Sequence, residues 1–142
     1  MFERVLMVCV GNICRSPMAE HLLQQQRPNL KVSSAGIGAL VGCGADEKAI
    51  QIMDAQQIDI RKHKARQLDQ VMVNSNDLIL VMESFQLDDI TTKYPFALGK
   101  VHLLGKWLTA LEIKDPYQKS QFAFDDAFAL IDTAVNTWIK KI

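Results

Sequence analysis

Cys9 and Arg15 stand six positions apart in CVGNICRS, where the sequence leaves its first apolar run. A turn of this kind, placed between a strand and a helix start, turns successive backbone N–H groups inward. Val10, Gly11, Asn12, Ile13, Cys14, Arg15 and Ser16 would form such an anion-binding nest, and the helix dipole adds positive potential. Gly11 permits unusual backbone angles, and Asn12 is among the residues that tolerate a left-handed conformation. Arg15 supplies a planar, permanently charged fork for two oxyanion oxygens. Cys9 then lies beneath the anion, in a field that lowers a free thiol from roughly 8.5 to about 3.5–7.5. Ser16 can donate a hydrogen bond to the thiolate. The expected chemistry is a sulfur nucleophile aimed at phosphorus, with donors for its three equatorial oxygens. No GK[ST] is present, so the turn is not a Walker loop.

The elements that must position these groups follow from the apolar pattern. Residues 4–10 read as a buried strand, nearly continuous and partly β-branched. Residues 16–26 read as a helix with Met18, Ala19, Leu22 and Leu23 on one side. A short strand is expected over 30–34 and a helix from Asp46, its cap, to about Gln56. A short helix is expected over 67–72, a second buried strand over 77–82, a helix over 84–90 and a strand over 101–104. Residues 113–120, with DPY, read as a loop. In the last helix Phe124, Phe128, Ile131, Val135, Trp138 and Ile142 recur at three and four. Trp107 and Trp138 are expected to pack in or against the core, and His21 and His102 to lie at the surface or at helix ends. Alternating strands and helices predict an α/β fold: one domain spanning 1–142, a four-stranded parallel sheet, helices on both faces. Ligands in such doubly wound sheets sit outside the carboxyl ends of the strands, where CVGNICRS falls.

Composition sets outer bounds. Of 142 residues, 49% are hydrophobic and 23% charged, ordinary for a globular chain with a real core. Sixteen basic and 16 acidic side chains cancel, which argues against a nucleic-acid surface or a polybasic membrane patch. No stretch approaches the roughly 20 apolar residues of a membrane span, and none has a signal-peptide core, so a cytoplasmic protein without membrane insertion is expected. The cysteines number three, Cys9, Cys14 and Cys43, which is no disulfide framework. His21, His63 and His102 are scattered and no CxxC or HxxxH spacing occurs, so neither metal nor cofactor is expected.

VCVGNICRSPMAE resembles the phosphate loop of the low-molecular-weight protein tyrosine phosphatases. SSAG at 33–36, HKARQL at 63–68, DLILVME at 77–83 and DPY at 115–117 match the family in order, so the resemblance spans almost the whole chain. FERVLMVCVGNICRSPMAE with AGIGALVG and DPYQKS most resembles its bacterial branch associated with capsule and exopolysaccharide export. There the partner is a membrane-associated, autophosphorylating tyrosine kinase. The resemblance implies the same flavodoxin-like fold. It implies Cys9 as nucleophile, Arg15 as phosphate ligand and Asp115 as general acid. Asn12, Ser16, Ser34 and His63 would support the loop, and Leu40 and Tyr117 would flank the substrate ring. Cys14 would be a redox partner able to shield Cys9 as a disulfide. Cys43 has no expected role.

The implied reaction requires Cys9 ionised and Asp115 protonated, hence a bell-shaped pH profile with an acidic optimum. A rate still rising in alkaline solution would contradict it. Two departures from the family bear on substrate preference. Leu40 stands where many relatives carry an aromatic, and Gln118 where many carry a second aromatic after DPY. Two rival readings remain. A thiol-dependent arsenate reductase on the same scaffold needs late cysteines, and none follows Cys43. A phosphate- or phosphotyrosine-binding module without turnover would have little use for Cys9, Arg15 and Asp115 together.

Overall fold

The computed structural model describes residues 2–142. Four strands, β1 (Arg4–Cys9), β2 (Lys31–Gly36), β3 (Leu78–Val81) and β4 (Val101–Leu103), form a wholly parallel sheet in the order β2-β1-β3-β4. Side chains alternate along a strand, and β1 uses both faces. Val5, Met7 and Cys9 join one buried cluster with Met18 and Leu23 of α1 (Arg15–Gln26), Met53 of α2 (Glu47–Ala55) and Phe124 and Ile131 of α5 (Gln121–Ile139). Leu6 and Val8 join the other with Val73 of α3 (Gln70–Ser75) and Ile90 of α4 (Ser84–Lys93). Both faces are therefore covered, which is why β1 and β3 read as unbroken apolar runs. The strand order reverses beside β1, so the crevice at its carboxyl end is the topological switch point of the sheet.

The expected elements are present, with shifted edges. β2 runs on to Gly36 because Ala35 and Gly36 pair with Val8 and Cys9. A Cβ at Gly36 would lie 2.3 Å from the Val10 carbonyl, so only glycine lets the two strand ends approach. The helix expected over 67–72 begins later: Gln67 bridges Gly36 and Leu68 N–H donates to the Gly36 carbonyl. Asp69 then caps α3, accepting from Met72 N–H. An added 3₁₀ turn, Pro95–Lys100, follows α4. Trp138 is buried and donates from Nε1 to the Leu104 carbonyl, whereas Trp107 stands 43% exposed, covered by the ammonium groups of Lys106 and Lys141. His21 lies inside α1, bonded to the Pro17 carbonyl, and His102 on β4 packs against Trp138. No helix among the described residues is long and apolar enough to cross a membrane.

Candidate active site

β1 ends at Cys9 and α1 begins at Arg15, so the chain must reverse within five residues. The loop's carbonyls all face outward. Those of Cys9, Val10 and Gly11 accept from the N–H groups of Ile37, Gly38 and Leu40, and that of Ile13 from Asp46 N–H. The Asn12 carbonyl accepts from His63 Nε2 at 2.6 Å, which fixes a proton on that nitrogen, and the Cys14 carbonyl from Met18 N–H. By contrast, the N–H groups of residues 11–16 donate to nothing among the described residues. A strip of amides pointed away from its own carbonyls is an anion nest at a helix N-terminus. Gly11 has no left-handed angle; the residue that turns the loop is Asn12, at φ 59°.

Asn12 is also the hub behind the loop. Its Nδ2 donates to Ser16 Oγ at 2.7 Å and to Ser34 Oγ at 3.0 Å, and its Oδ1 accepts from Arg66 N–H. Ser34 in turn donates to Glu20 Oε1. With Nδ2 as donor, Ser16 keeps its own hydrogen for the Cys9 sulfur 2.9 Å away. Cys9 is only 2% exposed, and it opens onto a cavity of about 110 Å³. Val10, Gly11, Ile13, Cys14 and Arg15 form its base; Gly38, Leu40, Asp115 and Tyr117 form its rim.

Arg15 is 1% exposed, an extreme position for a permanent charge. Its Nη1 donates to Glu83 Oε1 at 2.5 Å and to the Ile113 carbonyl at 2.7 Å. Nε is buried without a partner among the described residues, and Nη2 lies 3.6 Å from Asp115 Oδ2. One side of the fork is clamped by protein, and the Nε–Nη2 edge is left open, the geometry that takes two oxygens of one anion.

The structure thus brings together Cys9, the 10–16 loop, Ser34, His63, Leu40, Asp115 and Tyr117, although they come from five separate segments. Cys14 lines the same cavity as Cys9, and its thiol is pushed up by burial and then by Asp46, Cys9 and Asp115, against the pull of Arg15. Cys43 is exposed outside it. No group of three or more His, Cys, Asp or Glu among the described residues is arranged to hold a metal. Sequence reasoning missed four supports: Glu83 and the Ile113 carbonyl on Arg15, Glu20 behind Ser34, and Arg66, whose Nε donates to the Ser34 carbonyl. Glu83 had a legible signal, being an acid just past the carboxyl end of a buried strand. Ile113 had none, since a backbone carbonyl carries no residue type.

The family described as low molecular weight phosphotyrosine protein phosphatase matches residues 4–142. A probable low molecular weight protein-tyrosine-phosphatase EpsP of Ralstonia solanacearum is 46% identical over the whole chain and 97% of its own length. The low molecular weight protein-tyrosine-phosphatase Wzb of Escherichia coli K12 is 44% identical over the same shares. Vibrio vulnificus Wzb, solved in complex with benzylphosphonate, superposes with a TM-score of 0.97 at 42% identity, covering all of both chains. The chain thus agrees with these proteins in sequence and in overall shape along its length: it belongs to the low molecular weight phosphotyrosine protein phosphatase family.

Proposed function

We propose that this protein-tyrosine-phosphatase, its whole chain working as one domain, transfers the phosphoryl group of a phosphotyrosine side chain to Cys9 and then to water. One observation carries the reading: the Cys9 sulfur, bonded to Ser16, lines a cavity together with Arg15, whose Nε has no partner among the described residues, and with the loop whose amides at 11–16 find no acceptor there. An anionic tetrahedral group held there meets donors for its equatorial oxygens with the sulfur behind it, the alignment for in-line displacement. Benzylphosphonate, the ligand of the Vibrio vulnificus relative, joins a phenyl ring to such a group.

In the first step the Cys9 thiolate forms an S–P bond while the bond from phosphorus to the tyrosine oxygen breaks. A phenolate leaves poorly near neutral pH, since a phenol titrates near about 10. Asp115, at the rim beside Tyr117, gives it a proton. In the second step water attacks the phosphocysteine, its proton returns to Asp115, and phosphate departs from a regenerated thiolate. Leu40 and Tyr117 stand on the rim and flank the ring. Neither step needs a metal, because Arg15 and the amides carry the developing charge.

The cellular substrate proposed is an autophosphorylated, membrane-associated tyrosine kinase that controls capsule or exopolysaccharide output, reached from the cytoplasm. The test is hydrolysis of a phosphotyrosyl peptide in the presence of a chelator, with acid-quenched samples weighed intact. The expected result is phosphate release and a transient gain of one phosphoryl group, both lost in Cys9→Ser. Peptide binding without release would favour a binding module, and arsenate reduction without peptide hydrolysis the reductase. A pull-down with Asp115→Ala that recovers a membrane tyrosine kinase supports the partner; a folded trap that never does so removes it.

A further inference from the structure

A second hollow adjoins the first. The catalytic cavity of about 110 Å³ has Asp115 in its rim, and Asp115 also belongs to the wall of a groove of about 330 Å³. That groove runs between the segment carrying Pro116 and the first turns of α5, where Ala123 and Leu130 lie on one helix face. Lys119 and Asp126 stand on its banks. Over it rises Phe122, 79% exposed, the most exposed large apolar side chain among the described residues. A lone exposed apolar residue needs no explanation. An aromatic set over an apolar floor with charged banks has the anatomy of a binding patch with an anchor.

We propose that this groove receives the polypeptide on one side of the phosphotyrosine, with an apolar side chain of the substrate seated against Phe122. The inference rests on the phosphatase reading above. A phosphotyrosyl protein cannot enter a cavity three times smaller than the groove with its main chain. The main chain must leave across the rim, and Asp115 is the wall shared with the neighbouring hollow. The groove's banks carry both charge signs, so the recognised feature is apolar. Binding of this kind holds substrate and transition state alike, so its loss is expressed in KM and not in kcat.

The experiment uses the full chain and two probes. One is a small aryl phosphate; the other is a series of phosphotyrosyl peptides with a leucine moved from about two to about five residues to either side, the reach of an extended segment along the groove. Its readout is the ratio of kcat/KM for peptide to kcat/KM for aryl phosphate. For Phe122→Ser that ratio falls about tenfold, through KM, for leucine positions on one side only. Phe122→Leu recovers most of it. Phe96→Ser, a change at an exposed phenylalanine in the 3₁₀ turn, leaves it in place. An unchanged ratio in Phe122→Ser at every leucine position overturns the proposal, as does an equal fall in Phe96→Ser. So does sedimentation showing that Phe122→Ser only dissolves a dimer, which would make the groove a contact between copies of this chain. If the unaltered chain hydrolyses neither probe, the phosphatase reading itself fails, an outcome distinct from a groove that does not discriminate.

Discussion

The loop of residues 9–16 and the segment of residues 113–118 meet over one cavity and are built in opposite ways. In the first, every outward carbonyl is tied to a different neighbour, and Cys9, Asn12, Arg15 and Ser16 are all buried. In the second, Asp115 and Tyr117 are partly open to solvent, and the turn is closed mainly by its own bonds, Tyr117 N–H to Asp115 Oδ1 and Lys119 N–H to the Pro116 carbonyl. Gln118 follows at φ 62°, outside the usual range for a side chain that size. The contrast fits the work proposed for each. Charge stabilisation depends on dipoles held in place before the reaction, so the phosphate end must be rigid and enclosed. Proton delivery needs a group at the entrance, within reach of whichever tyrosine is bound.

Changes at five residues test that division, from the largest effect to the smallest. Cys9→Ser should cut aryl phosphate turnover on the order of a million-fold, the scale of removing a covalent nucleophile. Inorganic phosphate should still bind by calorimetry; a residual rate within tenfold of the original would refute the role. Asp115→Asn should cost about 10²–10⁴-fold on phosphotyrosine. It should cost much less on an aryl phosphate with an acidic leaving group, and the melting temperature should not move. An equal loss on both would deny Asp115 its proton.

Glu83→Ala removes the carboxylate from buried Arg15 and leaves the Ile113 carbonyl as the one clamp on Nη1. Urea denaturation should show a loss of about 3 kcal/mol, with weaker phosphate binding. Asn12→Ala loses three side-chain hydrogen bonds and keeps an unfavourable φ, about 2–3 kcal/mol together. Asn12→Gly should recover about 1 kcal/mol of that by accepting the left-handed angle. Equal losses would show that the turn carries no backbone strain.

The smallest effect concerns Cys14. Its thiol is pushed up in the folded protein chiefly by burial, with Asp46 next. An unfolded chain sheds that proton near the ordinary thiol value of about 8.5, so above it the unfolded state binds fewer protons than the folded one. Stability from this group is therefore complete below the unfolded value and declines as pH rises past it. Melting curves across alkaline pH should fall more steeply in the unaltered chain than in Cys14→Ala; parallel curves would show that the thiol ionises freely in place.

The same contrast explains which parts were readable in the residues. The nest, its cysteine and its arginine were visible because strand, turn and helix start are consecutive, and each has a local signature in residue type and spacing. Asp115 and Tyr117 were named only through the likeness of DPY to a family, since an Asp-Pro pair some hundred residues away is by itself a turn. Glu83, Glu20 and Arg66 went unnamed because their roles are set by what they touch. Gly11 attracted attention as a glycine, yet the left-handed residue is its neighbour. The misplaced start of α3 has a similar cause. Gln67 and Leu68 favour a helix locally but bond to Gly36, whose carbonyl the end of the sheet leaves free.

Periodicity and composition were enough for the layers, the apolar strands and the position of the anion loop, because hydrophobic burial and backbone hydrogen bonding act over neighbouring residues. The direction of the Ser16 hydrogen, the free edge of Arg15, the shared wall at Asp115 and the burial of Cys14 depend on segments up to about a hundred residues apart meeting within bonding distance. Those contacts exist only once the sheet has closed, since electrostatics and hydrogen bonds are decided by proximity in space.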